Sequence, residues 1–339
     1  PGHGTLPSGL VDATWEDWLA AVRMGVRHVS GRIPEGTPLI LVGYSNGGAL
    51  ALKYTLDAIE QSAGEVPSKL ILLSPMIGVS AAARLAWWVS LLGVVPYFEK
   101  ASWLDVLPEY NPFKYNSFTA NSAFQTTSLT RQVQSDLERV VARGRGNAIP
   151  PILTFQSVVD ATVSTQAVVY ELYDRMPTNG SELVLFDVNH LSGIDVFVRP
   201  ADLALVPTLL GSGPRGYRRV ILTNASPSPR DVEARTIEPG AAAVTHRPLG
   251  LAWPPEVFSL THVALPFAAD DPLYGIDGTT GPPGLLPIGR LSPRGERAVL
   301  IVGSDTLMRL SSNPFFPFVA ERIAQWLNTG SAPPSPVAP

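Results

Sequence analysis

The stretch Pro38-Leu-Ile-Leu-Val-Gly-Tyr-Ser-Asn-Gly-Gly-Ala-Leu-Ala-Leu52 decides the fold of this 339-residue chain. Its first five residues form an apolar run bounded by Pro and Gly, which predicts a buried strand. From Gly48 to Glu60, the helical spacing of apolar residues and the strong helix formers predict a helix. The turn between them has the pattern G-x-S-x-G, which is typical of a nucleophilic serine raised above the edge of a sheet. Ser45 is therefore the first candidate catalytic residue.

The same turn indicates which neighbours Ser45 needs. A Cβ atom at Gly43 or Gly47 is expected to crowd the crossing of strand and helix, and Ser45 is expected in a strained backbone conformation. The backbone N–H of Asn46 should then point to the place where a tetrahedral oxyanion forms. An ordinary Gly/Ser loop is the alternative, but the flanking strand and helix favour the nucleophile.

The composition fits a globular protein with a large core, since 45% of the residues are hydrophobic and 16% are charged. A net charge of −4 argues against nucleic acid as a partner, because binding to phosphates needs a basic face. Cysteine is absent, which excludes disulfides, thiolate metal ligands and a cysteine nucleophile. No apolar run approaches the roughly 20 residues of a membrane-spanning helix, so no transmembrane segment is predicted.

Strand and helix patterns alternate along most of the chain, which predicts an α/β fold with a mostly parallel sheet flanked by helices. Apart from the strand and helix that flank the G-x-S-x-G turn (the elbow), strands are predicted at 69–74, 151–156, 182–188, 219–223 and 257–261. Further helices are predicted at 15–28, 164–175 and 315–327. Residues 76–149 break the alternation and are predicted to form a lid. Residues 190–256 are predicted to form a second insertion. The expected division is a core of residues 1–75 and 150–339 and a lid of residues 76–149.

A serine nucleophile needs a base to take its proton and an acid to orient that base. Asp160 follows a predicted strand closely, so it should lie at the carboxyl edge of the sheet beside the elbow. Asp187, which is predicted inside a strand, is the second choice. The base has two main candidates: His190 ends a strand, and His262 ends a later apolar run, while His246 in a Pro-flanked loop is weaker. These residues alone leave the choice of base open.

Five stretches together resemble one branch of a known superfamily. They are Pro1-Gly-His-Gly-Thr5, Trp15-Glu-Asp-Trp18, Gly43–Gly48, the Gln156–Thr162 loop and Phe258–Pro266. They are similar to the lysophospholipase/serine-aminopeptidase-like esterase branch of the α/β-hydrolase superfamily, over most of residues 1–190 and again near His262. The resemblance implies the α/β-hydrolase fold. In that branch the catalytic His is often followed by Val and a short apolar run, which favours His262 with the 190–256 insertion looped out before it.

The resemblance also implies a segment that is absent before Pro1. In the superfamily, Pro-Gly-His-Gly follows a strand–loop–strand segment, and its His-Gly loop supplies the second oxyanion N–H. We therefore expect the N-terminal strands of the fold to be missing from this chain. Losing one oxyanion donor typically costs about 10²–10³ in rate.

Together these features predict a serine hydrolase that cleaves hydrophobic carboxylic esters, as a carboxylesterase or lipase does, with a range that extends to polyesters. Ser45 would attack the ester carbonyl, His262 would relay the proton, Asp160 would orient His262, and the Asn46 N–H would bind the oxyanion. No metal or organic cofactor is needed. The preference for apolar esters rests on the aromatic residues of the lid, among them Trp87, Trp88, Tyr97, Phe98 and Trp103. A peptidase or amidase on the same scaffold and a non-catalytic binding protein are the alternatives.

Overall fold

The computed structural model describes residues 2, 6–61, 64–78, 103–109, 111, 114–190, 202, 204–210, 213–225, 230–255, 257–276, 288–290 and 308–328. Ser45, Asn46, Asp160 and His262 are among them. His3 and Gly4, which belong to the stretch Pro1-Gly-His-Gly-Thr5, lie outside the described residues. So do four of the five lid aromatics, at positions 87, 88, 97 and 98.

A seven-stranded sheet forms the centre of the protein. Its strands are β1 (Ile40–Tyr44), β2 (Lys69–Leu73), β5 (Ile152–Ser157), β6 (Glu182–Phe186), β7 (Arg218–Asn224), β8 (Asp231–Ile237) and β9 (Val244–Ala252), in that spatial order. A separate antiparallel pair consists of β3 (Trp103–Asp105) and β4 (Phe118–Thr119). Strands β1 to β7 of the large sheet run parallel, and β8 and β9 are antiparallel. The predicted mostly parallel α/β sheet is confirmed.

Helices cover both faces of the sheet. They are α1 (Trp15–Ser30), α2 (Asn46–Gln61), α3 (Ala120–Ala142), the short α4 (Leu205–Leu210) and α5 (Phe316–Asn328), and residues 165–175 form a further helical segment. Adjacent β2 residues face opposite ways: Leu72 packs in one hydrophobic cluster with α1, α2 and α3, and Leu73 in another with α5. This alternation makes a three-layer core, with helices on either side of the sheet.

The predicted start of the first helix is confirmed. The Thr14 hydroxyl accepts the Asp17 N–H, and the Asp17 carboxylate accepts the Thr14 N–H at 2.9 Å, which together form a capping box. Reciprocal caps of this kind satisfy two backbone donors that would otherwise lack partners at the helix terminus. Among the helices that the structure describes, none is both long and apolar enough to cross a membrane.

The region predicted as a looped-out insertion at 190–256 differs from the expectation. Its described residues include β7, which pairs in parallel with β6, and the hairpin of β8 and β9, so they extend the main sheet. The run 257–261, predicted as a strand, is irregular, and a 3₁₀ turn begins at His262. The run forms no ladder because its backbone bonds elsewhere: the Asn189 N–H donates to Phe258 O, and the Ser157 hydroxyl to Leu260 O.

Helix α3 lies within residues 76–149, the predicted lid, and packs against α2. Its residues Leu129, Val133 and Leu137 are fully buried in the cluster that also contains α1 and α2. This packing ties the second half of the segment to the core layer. The division of the chain into core and lid stays a prediction.

A buried ion cluster joins α2 to α3. Lys53 is 6% exposed and pairs with Asp57 one turn on and with Asp136, whose Oδ2 lies 3.0 Å from Nζ. Arg139 pairs with the same Asp136 and, at 2.7 Å, with Glu60. Two nearly buried carboxylates therefore share one buried ammonium group, which makes Lys53 the centre of the cluster.

Replacing Lys53 by Ala should lower the free energy of unfolding by about 1–3 kcal/mol, because two buried carboxylates lose their shared cation. Each carboxylate keeps one arginine partner, Arg23 for Asp57 and Arg139 for Asp136. The matched control is Arg143→Ala, since the exposed Arg143 also belongs to the cluster and lies 3.3 Å from Glu60. The control should cost no more than about 1 kcal/mol. Urea titration of both variants measures the difference. Similar losses in the two would contradict a special role for the buried cation.

Candidate active site

Ser45 lies in the tight turn between β1 and α2 with a φ of 53°, in the left-handed region. Its N–H donates to Leu73 O at 2.9 Å, at the end of the neighbouring strand β2. Its own carbonyl accepts the N–H groups of Gly48 and Met76, each at 3.0 Å. These three bonds hold a backbone conformation that is unfavourable for a residue with a Cβ atom.

Two glycines permit this turn. A Cβ at Gly43 would lie 2.6 Å from Gly47 O and 2.6 Å from Gly48 Cα, which is sterically forbidden. A Cβ at Gly48 would lie 2.8 Å from the Cβ of Pro75, the second residue after β2. The expectation for Gly47 is wrong, since a Cβ there would meet no described atom within 4 Å. The first turn of α2 directs position 47 away from the crossing and position 48 into it.

Gly43→Ala should lower the free energy of unfolding by about 1–3 kcal/mol, because backbone atoms cannot move out of the way of the new methyl group. Gly47→Ala is the matched control. Position 47 is helical and unobstructed, so alanine there should change stability by less than about 1 kcal/mol. Thermal or chemical unfolding distinguishes the two variants. Equal destabilisation would show that the crossing does not depend on Gly43.

The structure brings together the three side chains that the sequence singles out. His262 Nε2 lies 2.9 Å from Ser45 Oγ, and His262 Nδ1 lies 2.9 Å from Asp160 Oδ2. Both Asp160 and His262 have almost fully buried side chains, at 0% and 6% exposure. An acid, an imidazole and a hydroxyl are therefore linked in one hydrogen-bonded chain, which is the arrangement that activates a serine.

The turn after β5 holds the carboxylate of Asp160, the predicted acid. Oδ1 accepts the N–H groups of Thr162 at 2.8 Å and Val163 at 2.9 Å, and Oδ2 also accepts Gln156 Nε2 at 3.2 Å. Burial raises the pKa of this carboxyl, but the hydrogen bond and charge of His262 and the two N–H groups outweigh it, so the pKa lies below its usual value. Ionised Asp160 fixes the proton on Nδ1 and leaves Nε2 to accept from Ser45.

The loop that carries His262 is anchored on both sides. The ring of Tyr44, one residue before Ser45, lies 5.2 Å from the imidazole, and its hydroxyl donates to His262 O at 3.4 Å. The Thr261 hydroxyl donates to Leu310 O. Burial raises the pKa of the Tyr44 phenol, so it stays protonated and remains a donor. The anchors place the imidazole above the end of β1 without a strand.

His190, the other candidate base, lies in a different pair. Its Nε2 is 3.0 Å from Oδ2 of Asp187, and that oxygen also accepts the Thr223 hydroxyl at 2.9 Å. Asp187 was expected inside a strand, but β6 ends at Phe186 and Asp187 is the next residue. Ser45 Oγ bonds to His262 and has no bond to this second pair.

Asn46 is the first residue of α2, where the backbone N–H groups of a helix lack internal partners. Its side-chain Oδ1 is buried and has no hydrogen-bond partner among the described residues. The location fits the predicted oxyanion donor, and its role stays a prediction. Within the described part of the chain, no group of three or more His, Asp and Glu side chains is arranged to hold a metal ion.

Comparison with known proteins identifies the family of the chain. A model described as "Alpha/beta hydrolase family" matches residues 1–206. No curated protein matches the chain significantly. Solved structures match it only distantly, and the chain covers 60% or less of each of the three structures described next.

Est1E from Butyrivibrio proteoclasticus is 19% identical with a TM-score of 0.32, over 51% of this chain and 60% of that one. A soluble variant of monoglyceride lipase from Saccharomyces cerevisiae is 15% identical with a TM-score of 0.34, over 50% and 58%. Phospholipase PlaB from Legionella pneumophila is 19% identical with a TM-score of 0.29, over 44% and 29%. Likenesses this distant carry no argument about substrate.

Proposed function

The chain belongs to the alpha/beta hydrolase family, and from that premise we propose that it is a serine hydrolase that cleaves carboxylic esters. The observation that carries the proposal is the hydrogen-bonded chain from Asp160 through His262 to Ser45, with 2.9 Å at each link. The Asp160 carboxylate is buried and ionised, and the serine has the left-handed backbone of an elbow.

In the proposed mechanism, Ser45 Oγ attacks the ester carbonyl while His262 Nε2 removes its proton. Asp160 stabilises the imidazolium that forms, without itself becoming protonated. The Asn46 N–H at the start of α2 donates to the oxyanion of the tetrahedral intermediate. His262 then protonates the leaving alcohol, and an acyl-enzyme remains. A water molecule, activated by the same imidazole, releases the acid and restores Ser45.

The preferred substrates are proposed to be esters with hydrophobic acyl or alcohol parts, extending to hydrophobic polyesters. The proposal rests on the aromatic content of residues 76–125, because each methylene buried against apolar side chains contributes about 0.8 kcal/mol. Among the described aromatic residues, Phe267 and Tyr274 belong to the segment that follows His262, and their stacked rings have centroids 4.0 Å apart. The peptidase or amidase alternative uses the same three side chains, so substrate tests must separate them.

Ser45→Ala should reduce the turnover of p-nitrophenyl butyrate by about 10⁴–10⁶ and abolish labelling by a fluorophosphonate probe. Ser74→Ala is a matched control, because Ser74 is a fully buried serine that also has a positive φ, at the end of β2. The control should keep both activity and labelling. Labelling that survives in Ser45→Ala would exclude this serine as the nucleophile, and an unlabelled wild type would support the non-catalytic alternative.

His262→Ala should be as damaging as Ser45→Ala, because the members of such a chain act as a unit. His190→Ala should retain most activity, since its imidazole bonds to Asp187. Single-turnover acylation rates measure both variants. The reverse pattern would mean that the base comes from the end of β6.

Specificity constants should rise from acetyl to longer acyl p-nitrophenyl esters, since a longer chain buries more apolar surface. Aminoacyl-anilides should be cleaved poorly, because the proposed aromatic pocket offers few charged groups to hold a peptide terminus. A parallel assay of both substrate series measures this. If an anilide were cleaved as efficiently as the best ester, the peptidase or amidase alternative would be favoured over the esterase.

A further inference from the structure

A cavity of about 280 Å³ lies between α5 and the sheet, and three arginines line it: Arg218, Arg247 and Arg322. Arg218 is the first residue of β7, whereas Ser45 directly follows the last residue of β1. Since β1 and β7 run parallel, the end of the cavity at Arg218 lies at the opposite edge of the sheet from Ser45. The volume is just below the range of about 300–1,000 Å³ for small-molecule sites, so a compact ligand fits it.

Strand pairing places one wall of the cavity on the α5 face of the sheet. Val220 pairs with Thr236, and Ala234 pairs with Arg247. Paired residues of neighbouring antiparallel strands point to the same face. Val220 and Ala234 are buried in the hydrophobic cluster that contains α5, so Thr236 and Arg247 lie on that face as well. The short side chains of Ala234 and Thr236 leave the space that the cavity occupies.

Helix α5 forms the opposite wall. Phe318, Arg322 and Gln325 line the cavity, and their i, i+4, i+7 spacing puts them on one face of the helix. Arg322 Nε donates to Glu182 Oε1 at 2.6 Å, and Nη2 donates to Oε2 of the same carboxylate. Arg322 Nη1 donates to Gln325 Oε1 at 3.3 Å. These bonds fix the direction of the Arg322 guanidinium group.

The buried carboxylate of Glu182 brings two of the guanidinium groups together. Its Oε2 pairs with Arg322 Nη2 and lies 3.7 Å from Arg218 Nη1. Arg218 Nη2 lies 3.0 Å from Glu238 Oε1. The Nε atom of Arg218 is buried and has no hydrogen-bond partner among the described residues. A buried donor without an acceptor is unfavourable, so a water or ligand oxygen is expected beside this N–H group.

Arg247 is the cation that no carboxylate balances. It is exposed, and within the part of the chain that the structure describes it forms neither an ion pair nor a hydrogen bond. Glu321 is exposed and accepts Gln325 Nε2 at 2.7 Å, and no described guanidinium group pairs with it. Three guanidinium groups therefore face the two carboxylates that pair with Arg218 and Arg322, which leaves one positive charge in excess at the cavity.

From this arrangement we propose that the cavity binds a small monocarboxylate with a short apolar chain. One negative charge balances the excess at the cavity, and the planar fork of Arg247 matches the two oxygens of a carboxylate. A carboxylate oxygen also supplies an acceptor for Arg218 Nε. The apolar chain packs against Val220, Ala234 and Phe318. Binding at this edge of the sheet does not depend on ester hydrolysis at Ser45.

The test follows the methyl NMR signals of Val220 and Ala234 while the wild type is titrated with hexanoate. Hexanamide is the matched neutral ligand, because it has the same chain and nearly the same shape without the charge. At low salt, hexanoate should bind about tenfold more tightly than hexanamide or better, since a bidentate charge-assisted pair is stronger than neutral hydrogen bonds. Shifts of these two methyl signals assign the binding to the cavity rather than to the surroundings of Ser45.

Arg247→Gln should bring the affinity ratio of hexanoate to hexanamide close to one. Because Arg247 pairs with no described carboxylate, the substitution leaves no buried anion without a partner. Arg235→Gln is the matched control, since Arg235 lies between Ala234 and Thr236 in β8 and so on the opposite face of the same hairpin. The control should keep the ratio. Raising the salt concentration should reduce the ratio in the wild type and in the control, and not in Arg247→Gln.

Equal affinity for hexanoate and hexanamide would overturn the inference, as would a preference that Arg247→Gln keeps. Shifts that leave the methyl signals of Val220 and Ala234 unchanged would also overturn it. Tighter binding of hexyl phosphate, a dianion with the same chain, would overturn the assignment to a monocarboxylate. Failure of the proposed function has a different signature: the wild type would hydrolyse no ester and resist the fluorophosphonate, while hexanoate would still bind at the cavity.

Discussion

The left-handed backbone of Ser45 is the constraint on which the site depends. Its carbonyl accepts two N–H groups, from Gly48 in the helix and from Met76 after the neighbouring strand, so strand, turn and helix are joined at one atom. The arrangement closes only because Gly43 lacks a Cβ and lets the backbone of α2 approach. The parallel strands then bring the other residues of the site close to Ser45. Since β1 and β5 end at the same edge of the sheet, Asp160 comes within reach of the same imidazole as Ser45.

The sequence predicts best where burial leaves a strong pattern. Strands buried on both faces read as continuous apolar runs, so β2, β5 and β6 could be located without a structure. Strand β1 also has an apolar run, but the expectation that it is buried is wrong, since Val42 is 64% exposed. The hairpin of β8 and β9 was missed for the opposite reason. In β8, Val232 and Ala234 are buried between polar neighbours, an alternation that is the available signal for a half-buried strand. Most of β9 is exposed at the sheet edge and carries little apolar periodicity at all.

The choice between His262 and His190 shows a different limit of sequence-based prediction. Two histidines each bond to an aspartate at the carboxyl edge: His262 to Asp160 and His190 to Asp187. Both pairs have the residue types and the chain order expected of an acid and a base. They differ at the second ring nitrogen of the histidine, which in His262 lies 2.9 Å from Ser45 Oγ. Only three-dimensional placement of a loop more than 200 residues from Ser45 decides that His262 reaches the hydroxyl. Likewise, the choice between Gly47 and Gly48 at the crossing depends on helix phase, which the G-x-S-x-G pattern does not contain.

The position of the imidazole is set by side chains rather than by a ladder. Ser157 at the end of β5 donates to Leu260 O, Tyr44 donates to His262 O, and Thr261 donates to Leu310 O. Two of these donors belong to β5 and β1, the strands that precede Asp160 and Ser45. The strands therefore position His262 twice, through the Asp160 carboxylate on its ring and through hydroxyl groups that bond to the backbone of its loop. Because these bonds run to β1, β5 and Leu310, the loop of His262 makes none of them to the hairpin of β8 and β9, which lies between Asp160 and His262 in sequence.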